Sequence, residues 1–472
     1  MRLRLVCNLL LLLLVACQTP TGSTQVAFTP TTEPTVVSRP IAGGPTLLRD
    51  TISLRQIIEL GAGNIRLIRN PADEQLYLLN PGQGLSRLGL TSPGTVTPIV
   101  SLSAFGVRGA PTGAAFGPDG TLYVVFNQIA NKHNQAIIRK GAPAGGGRWT
   151  WSTLAETEPY ELSGTNFDHQ FNGITVSADG QWVYVNSGSR TDHGEVQTNQ
   201  GVFKDVREVA LTTKIFRLPS SAQDLVLPND EAELQALGVV FASGTRNAYD
   251  LELAPNGELF AGDNGPDADY ADELNWLREG EHYGFPWKFG NEDNPQQFPD
   301  YTSLTDKRLQ PDFVAVQTGA YRRDPTFPPA PAVEFALPVA NLGPDAAQYR
   351  ASDGSAQDAA ANGERLYSFT PHRSPLGLVF VNNPAMPAAW QAERNQLSAF
   401  ILSWGAAGGT LTDTGQDLLH LRLTLVDGQY EMTTTQIARD FANPIDAVLV
   451  ENRLYVLEFG GGGSVWELTF EP

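Results

Sequence analysis

The stretch GDNGPDADYADELN, residues 262–275, sets five carboxylates (Asp263, Asp267, Asp269, Asp272 and Glu273) around one Gly-Pro. Oxygen-rich loops of this kind hold hard cations, calcium above all, although acidic loops are also ordinary solvated surface. An EF-hand is excluded. Counting from Asp263, the sixth position is Ala268 where that loop needs glycine, and the twelfth is Leu274 where it needs a bidentate glutamate. Pro266 argues against a helix running into the loop, so a cation here would lean on backbone carbonyls. A second polar loop, NFDHQFNG at 166–173, offers His169 as a general base, because imidazole titrates near neutral pH. Asp168 is its neighbour, but adjacent residues on a strand point to opposite faces, so spacing does not make Asp168 the group that orients the ring. A structural histidine fits the same loop. A third loop, SGTRNAY at 243–249, places Arg246 and Asn247 after Gly244, a guanidinium and an amide suited either to a ligand or to a contact between neighbouring elements. His193, in TDHGE, is the alternative base.

Six short β-rich runs centred on an aromatic must position these loops: LYLL at 76–79, LYVV at 122–125, VYVN at 183–186, LFAG at 259–262, AFIL at 399–402 and LYVL at 454–457. Turn signals precede three of them, PDG at 118–120, ADG at 178–180 and PNG at 255–257, and Asp-Gly and Asn-Gly supply the positive φ that two-residue hairpins need. Several of the spacings suit a four-stranded propeller blade, and the longer ones imply insertions. A pair of β-sandwiches is the competing arrangement. Six units favour an all-β fold, one six-bladed β-propeller with loop insertions over residues 51–472, with residues 300–362 as an insertion-bearing connection. A propeller gathers loops from every blade at the mouth of one channel, so residues distant in number meet there.

The chain has 472 residues and a formal charge of 32 − 51 = −19, with no basic run, so nucleic acid and anionic membrane surfaces are poor partners. Cys7 and Cys17 are the two cysteines, and both precede the propeller, which can therefore hold neither a disulfide nor a thiolate metal site. Residues 1–17 read as a signal peptide, with Arg2 and Arg4 ahead of an apolar run too short for a comfortable membrane span. The run ends in Leu-Val-Ala-Cys, which resembles a bacterial lipobox. Cys17 would then carry a lipid, residues 18–50, rich in Thr and Pro, would be a tether, and the protein would be exported and anchored on the periplasmic or extracellular side.

Taken together, SGTRNAYDLELAPNGELFAGDNGP, DELNWL and GEHYGFPW resemble the signature of the soluble quinoprotein glucose/sorbosone dehydrogenases. Asp168-His169-Gln170 resembles their catalytic histidine loop, and PHRSPLGLVF at 371–380 their late-blade motif. The resemblance implies a six-bladed propeller that binds pyrroloquinoline quinone (PQQ) and calcium. It implies oxidation of an aldose sugar at C1, with electrons passed to an external acceptor. His169 and Arg246 would be catalytic, and Arg246, Asn247 and Gln170 would hold the cofactor. Gly265 and Pro266 would give carbonyls to calcium, with Asp272 and Glu273 bracing that metal loop. Glu292 and Asp293, in GNEDN, would be candidates for a second calcium. The family's basic cofactor anchors are missing: Ser403-Trp404-Gly405 and Asn443-Pro444 stand where Lys and Arg are expected, with Arg373 and Arg439 as possible substitutes. Two other functions fit a propeller. One is a lactonase-type hydrolase, which needs calcium ligands converging from several blades, and the other is a non-catalytic surface protein that binds a glycan or a protein.

Overall fold

The computed structural model describes residues 43–91, 93–405 and 411–472. The signal peptide, Cys17 and most of the tether lie outside the described residues. Six sheets, antiparallel apart from one added parallel strand in each of two, form a ring, and the inner strands that line its channel are Arg66–Asn70, Ala110–Phe116, Phe171–Val176, Ala248–Leu253, Pro375–Phe380 and Pro444–Val450. Each inner strand touches the next around the ring, and the last touches the first. The protein is a six-bladed β-propeller.

The six aromatic runs are the second strands of the six blades, one in each. That position sits between two hydrogen-bonded neighbours and two packed faces, so its residues are buried nearly without alternation. Tyr77, Tyr123, Phe260, Phe400 and Tyr455 are buried, and Tyr184 is half-buried. Tyr77 of the first blade meets Phe116 of the second at 5.1 Å between ring centroids, and Phe260 of the fourth meets Phe380 of the fifth at 5.2 Å. These rings glue neighbouring blades, each contact adding about 0.5–1.5 kcal/mol to the area it buries.

The turns differ in one detail from the expected two-residue hairpins. Gly117 N–H bonds Thr121 O around a three-residue loop, and Ala254 N–H bonds Glu258 O in the same way. Only the glycine takes positive φ, +80° at Gly120 and +85° at Gly257, which is the three-residue loop built on a type I turn.

The ring closes non-locally. Ile52–Glu59, at the start of the described chain, pairs antiparallel with Ser464–Phe470 and completes the sixth blade. Thr46–Leu47, within the stretch read as tether, pairs with the outer strand of the fifth blade. Blade four has three strands, and residues 278–374 run from its edge across the same end of the ring as the site loops before the fifth blade begins. In this winding, the loops leading into each inner strand and the loops joining second to third strands open at one end. The loops carrying His169, Arg246 and the Gly-Pro all lie there. No helix among the described residues is long and apolar enough to cross a membrane.

Candidate functional site

The third and fourth inner strands are neighbours, which brings His169, two residues before one, beside Arg246, two residues before the other. His169 is half-buried, and its Nδ1 lies 3.2 Å from Ser189 Oγ. Burial first, and then the charge of Arg246, hold its pKa well below the ordinary imidazole value, against the opposing pull of Asp192. The ring is therefore neutral at pH 7, the state a proton acceptor needs. Asp168 does not orient it. Its two oxygens accept the Ser163 and Gly164 backbone N–H groups at 2.7 and 2.8 Å and fix the loop instead.

Arg246 is buried against Asp192. Its Nε donates to the Asp192 carbonyl and its Nη2 to Asp192 Oδ1, both at 2.7 Å, while Nη1 reaches the Asn264 carbonyl at 3.1 Å. Asp192 is fully buried and also accepts His193 Nδ1 at 2.7 Å and the Asp267 N–H at 2.9 Å. Burial would raise this carboxyl, but the His193 hydrogen bond and the Arg246 charge outweigh it and hold its pKa low. His193 is fully buried and stacked on Tyr321, with ring centroids 3.8 Å apart, so it is closed to substrate and unsuited as the alternative base. Asp192 and Ser189 escaped the sequence reading. Each works through partners on another loop, and the one available signal was that Asp192 adjoins His193 and Ser189 lies four residues before it.

Asn247 accepts Asn172 Nδ2 through its Oδ1 at 2.9 Å, and its own amide N–H groups donate to none of the described residues. Gln170, buried ahead of the third inner strand, also has a side chain without a hydrogen-bond partner among them. Both amides remain available to a ligand.

The five carboxylates of the acidic loop are mostly internal braces. Asp263 caps the Arg246 and Asn247 N–H groups at 3.0 and 2.5 Å, and Asp267 accepts the Ala315 N–H at 2.7 Å. Asp269 binds Arg350, His372 and Gln310, all from the long insertion. Asp272 ties the Gly265 N–H to the Ser374 N–H, at 2.7 and 2.8 Å, and Glu273 accepts the Gly290 N–H at 2.6 Å. The clustered charge thus staples the Gly-Pro loop to the insertion and the fifth blade. Among the described residues no three His, Cys, Asp or Glu side chains group closely enough to hold a metal. Asp272 and Glu273 are thus placed as braces rather than converging ligands. The Gly265 carbonyl takes no hydrogen bond from the described residues, whereas that of Pro266 accepts the Ala268 N–H at 2.8 Å. Glu292 and Asp293 are paired with Arg308 and Lys288.

The substitute anchors are not free. Arg373 is buried with Asp413 and Asp417 on its two Nη atoms. Arg439 ends the outer strand of the fifth blade, exposed beside Asp440. Asn443 turns its amide to the Trp404 carbonyl at 3.2 Å. A further acidic group lines the channel itself, where a cavity of about 240 Å³ is walled by Asp250, Glu252, Asp446 and Arg66.

Residues 95–320 match the profile of the Glucose / Sorbosone dehydrogenase family. Over those residues, just under half of the chain, the sequence is similar to that family. No curated protein matches the sequence. Among solved structures, the apo-form soluble aldose sugar dehydrogenase of Escherichia coli is 13% identical, over 89% of this chain and 100% of that one, with a TM-score of 0.53. A glucose dehydrogenase is 16% identical over 89% of this chain and 99% of its own, also with a TM-score of 0.53. The PQQ domain of pyranose dehydrogenase from Coprinopsis cinerea, in holo form, is 13% identical over 89% and 96%, with the same TM-score. At such identities the likeness to solved structures is one of fold. It extends the propeller beyond the matched family segment.

Proposed function

We propose that the protein oxidises an aldose sugar at C1 with PQQ and calcium at the channel mouth, and passes the electrons to an external acceptor. The observation that carries this reading is a neutral His169 bound, through the backbone of Ser189, to the loop of Arg246 and Asn247. The donor set fits the quinone edge of the cofactor. Asn247 and Gln170 have unspent amides, Arg246 is a fixed cation, and the Gly265 carbonyl is open to calcium. It does not supply the basic partners that three cofactor carboxylates call for, since Arg373 is committed to two aspartates. Weak retention of PQQ follows.

Bound PQQ would supply the hydride acceptor. His169 would take the proton of the C1 hydroxyl. Arg246 commits three of its five N–H donors inside the protein and keeps two for developing negative charge. The carbonyls of Gly265 and Pro266 would hold calcium, with Asp272 fixing their loop. A lipid on Cys17 would keep the propeller at a membrane surface. The test adds PQQ and calcium to purified apoprotein and screens aldoses with an artificial electron-accepting dye. Dye reduction that is lost in His169→Ala supports the reading. No reduction with any aldose at saturating cofactor leaves a non-catalytic propeller that binds a glycan or a protein.

A further inference from the structure

We infer that Ser189 is a positioning residue that fixes which ring nitrogen of His169 accepts the proton, an inference that rests on the reading of His169 as the base. Ser189 is fully buried and joins the two catalytic candidates through three hydrogen bonds, with a fourth to Thr191. Its N–H donates to the Arg246 carbonyl at 2.7 Å, and its carbonyl accepts the His169 N–H at 2.8 Å. Its hydroxyl donates to the Thr191 carbonyl at 2.7 Å and lies 3.2 Å from His169 Nδ1. A hydroxyl has one proton, and a carbonyl can only accept. Because that proton goes to Thr191, the oxygen faces His169 as an acceptor, and Nδ1 must carry the ring hydrogen. In a neutral imidazole the other nitrogen, Nε2, then holds the lone pair. Ser189 makes Nε2 the base.

Among the described residues no carboxylate hydrogen-bonds the ring in its place. The oxygens of Asp168 are on Ser163 and Gly164, and those of Asp192 are on Arg246, Asp267 and His193. The glycine before the serine permits the contact. A Cβ at Gly188 would stand 2.4 Å from the His169 Cβ, closer than side chains approach, so a larger residue there would push Ser189 away from the ring.

Histidine ¹⁵N labelling of the apoprotein reads the tautomer directly, through two-bond ¹⁵N–¹H correlations at pH 7.5. The chain has six histidines, and His169→Gln identifies the signal by its loss. The wild type is expected to show a protonated Nδ1 and a bare Nε2. Ser189→Ala should shift the ring to a mixture or to the Nε2–H form, and Ser189→Thr, which keeps the hydroxyl, should restore it. In the loaded enzyme, Ser189→Ala should cut turnover by roughly ten- to a hundredfold with little change in KM. An Nε2–H form in the wild type overturns the inference whether or not a variant folds, and so does an unchanged tautomer in folded Ser189→Ala. Full turnover in His169→Gln would instead remove His169 as the base and leave the tautomer result standing.

Discussion

Replacing Asp192 with Asn should cost both stability and turnover, because one buried carboxylate answers several demands at once. It balances the charge of Arg246, which is buried with only 6% of its surface exposed, and it accepts His193 Nδ1 and the Asp267 N–H. Removing one partner of a buried pair costs about 3–5 kcal/mol, since the other charge is left uncompensated. Asparagine keeps the shape and one acceptor oxygen, and the Asp192 carbonyl still holds Arg246 Nε, so the lower end, about 3 kcal/mol, is expected. That is about a hundredfold in the folding equilibrium. His169 responds too. The Asp192 charge raises its pKa and the Arg246 charge lowers it, so the variant should hold a still less basic ring. Urea unfolding at pH 7, followed by tryptophan fluorescence, reads the stability, with the wild-type slope retained. A loss below about 1 kcal/mol, the range of an exposed pair, would mean that the Arg246–Asp192 contact is not the buried support described.

The acid limb of the pH–rate profile for kcat/KM should lie below the ordinary imidazole value near 6.5, because the base loses activity only when pH falls through its lowered pKa. A limb at or above 6.5 contradicts a half-buried His169 beside the charge of Arg246. Asp446 in the channel is pushed up to about 8, by burial first and then by the Asp250 charge. A carboxyl that binds its proton more tightly when folded makes stability fall as pH rises from about 4 through 8. Asp446→Asn should flatten that slope in denaturant titrations, and an unchanged slope would place the titration elsewhere. Cys17→Ser should move the protein from the membrane pellet to the soluble fraction, and a variant that still pellets in a detergent-sensitive way rules out the lipid anchor.

The blades were legible because their second strands are buried on every side, so an aromatic amid β-branched and aliphatic residues marks each one. The closing strand was not. ISLRQIIE, residues 52–59, acquires meaning only opposite Ser464–Phe470, some four hundred residues away, and nothing local encodes that pairing. His169, Arg246 and Asn247 were legible as residue types in polar loops. Asp192 and Ser189 were not, because their roles lie in atoms of other loops. Asp192 needs Arg246 across a blade boundary to become a counter-ion, and Ser189 needs the ring of His169 from the loop ahead of the third inner strand. The acidic loop misleads for a related reason. Composition counts its five charges but does not show that Asp263, Asp267, Asp272 and Glu273 meet backbone amides, or that Asp269 meets Arg350 and His372.

The most direct measurement is a calorimetric titration of the apoprotein with PQQ in the presence of calcium. A charged hydrogen bond contributes on the order of 1.5–3 kcal/mol, so two missing basic anchors should weaken binding by roughly a hundredfold or more. Saturable but weak binding is expected, strengthened by calcium and reversed by dialysis, with Asn247→Ala weakening it further. No saturation at high PQQ, with or without calcium, would contradict a cofactor site built on Asn247, Arg246 and the Gly265 carbonyl.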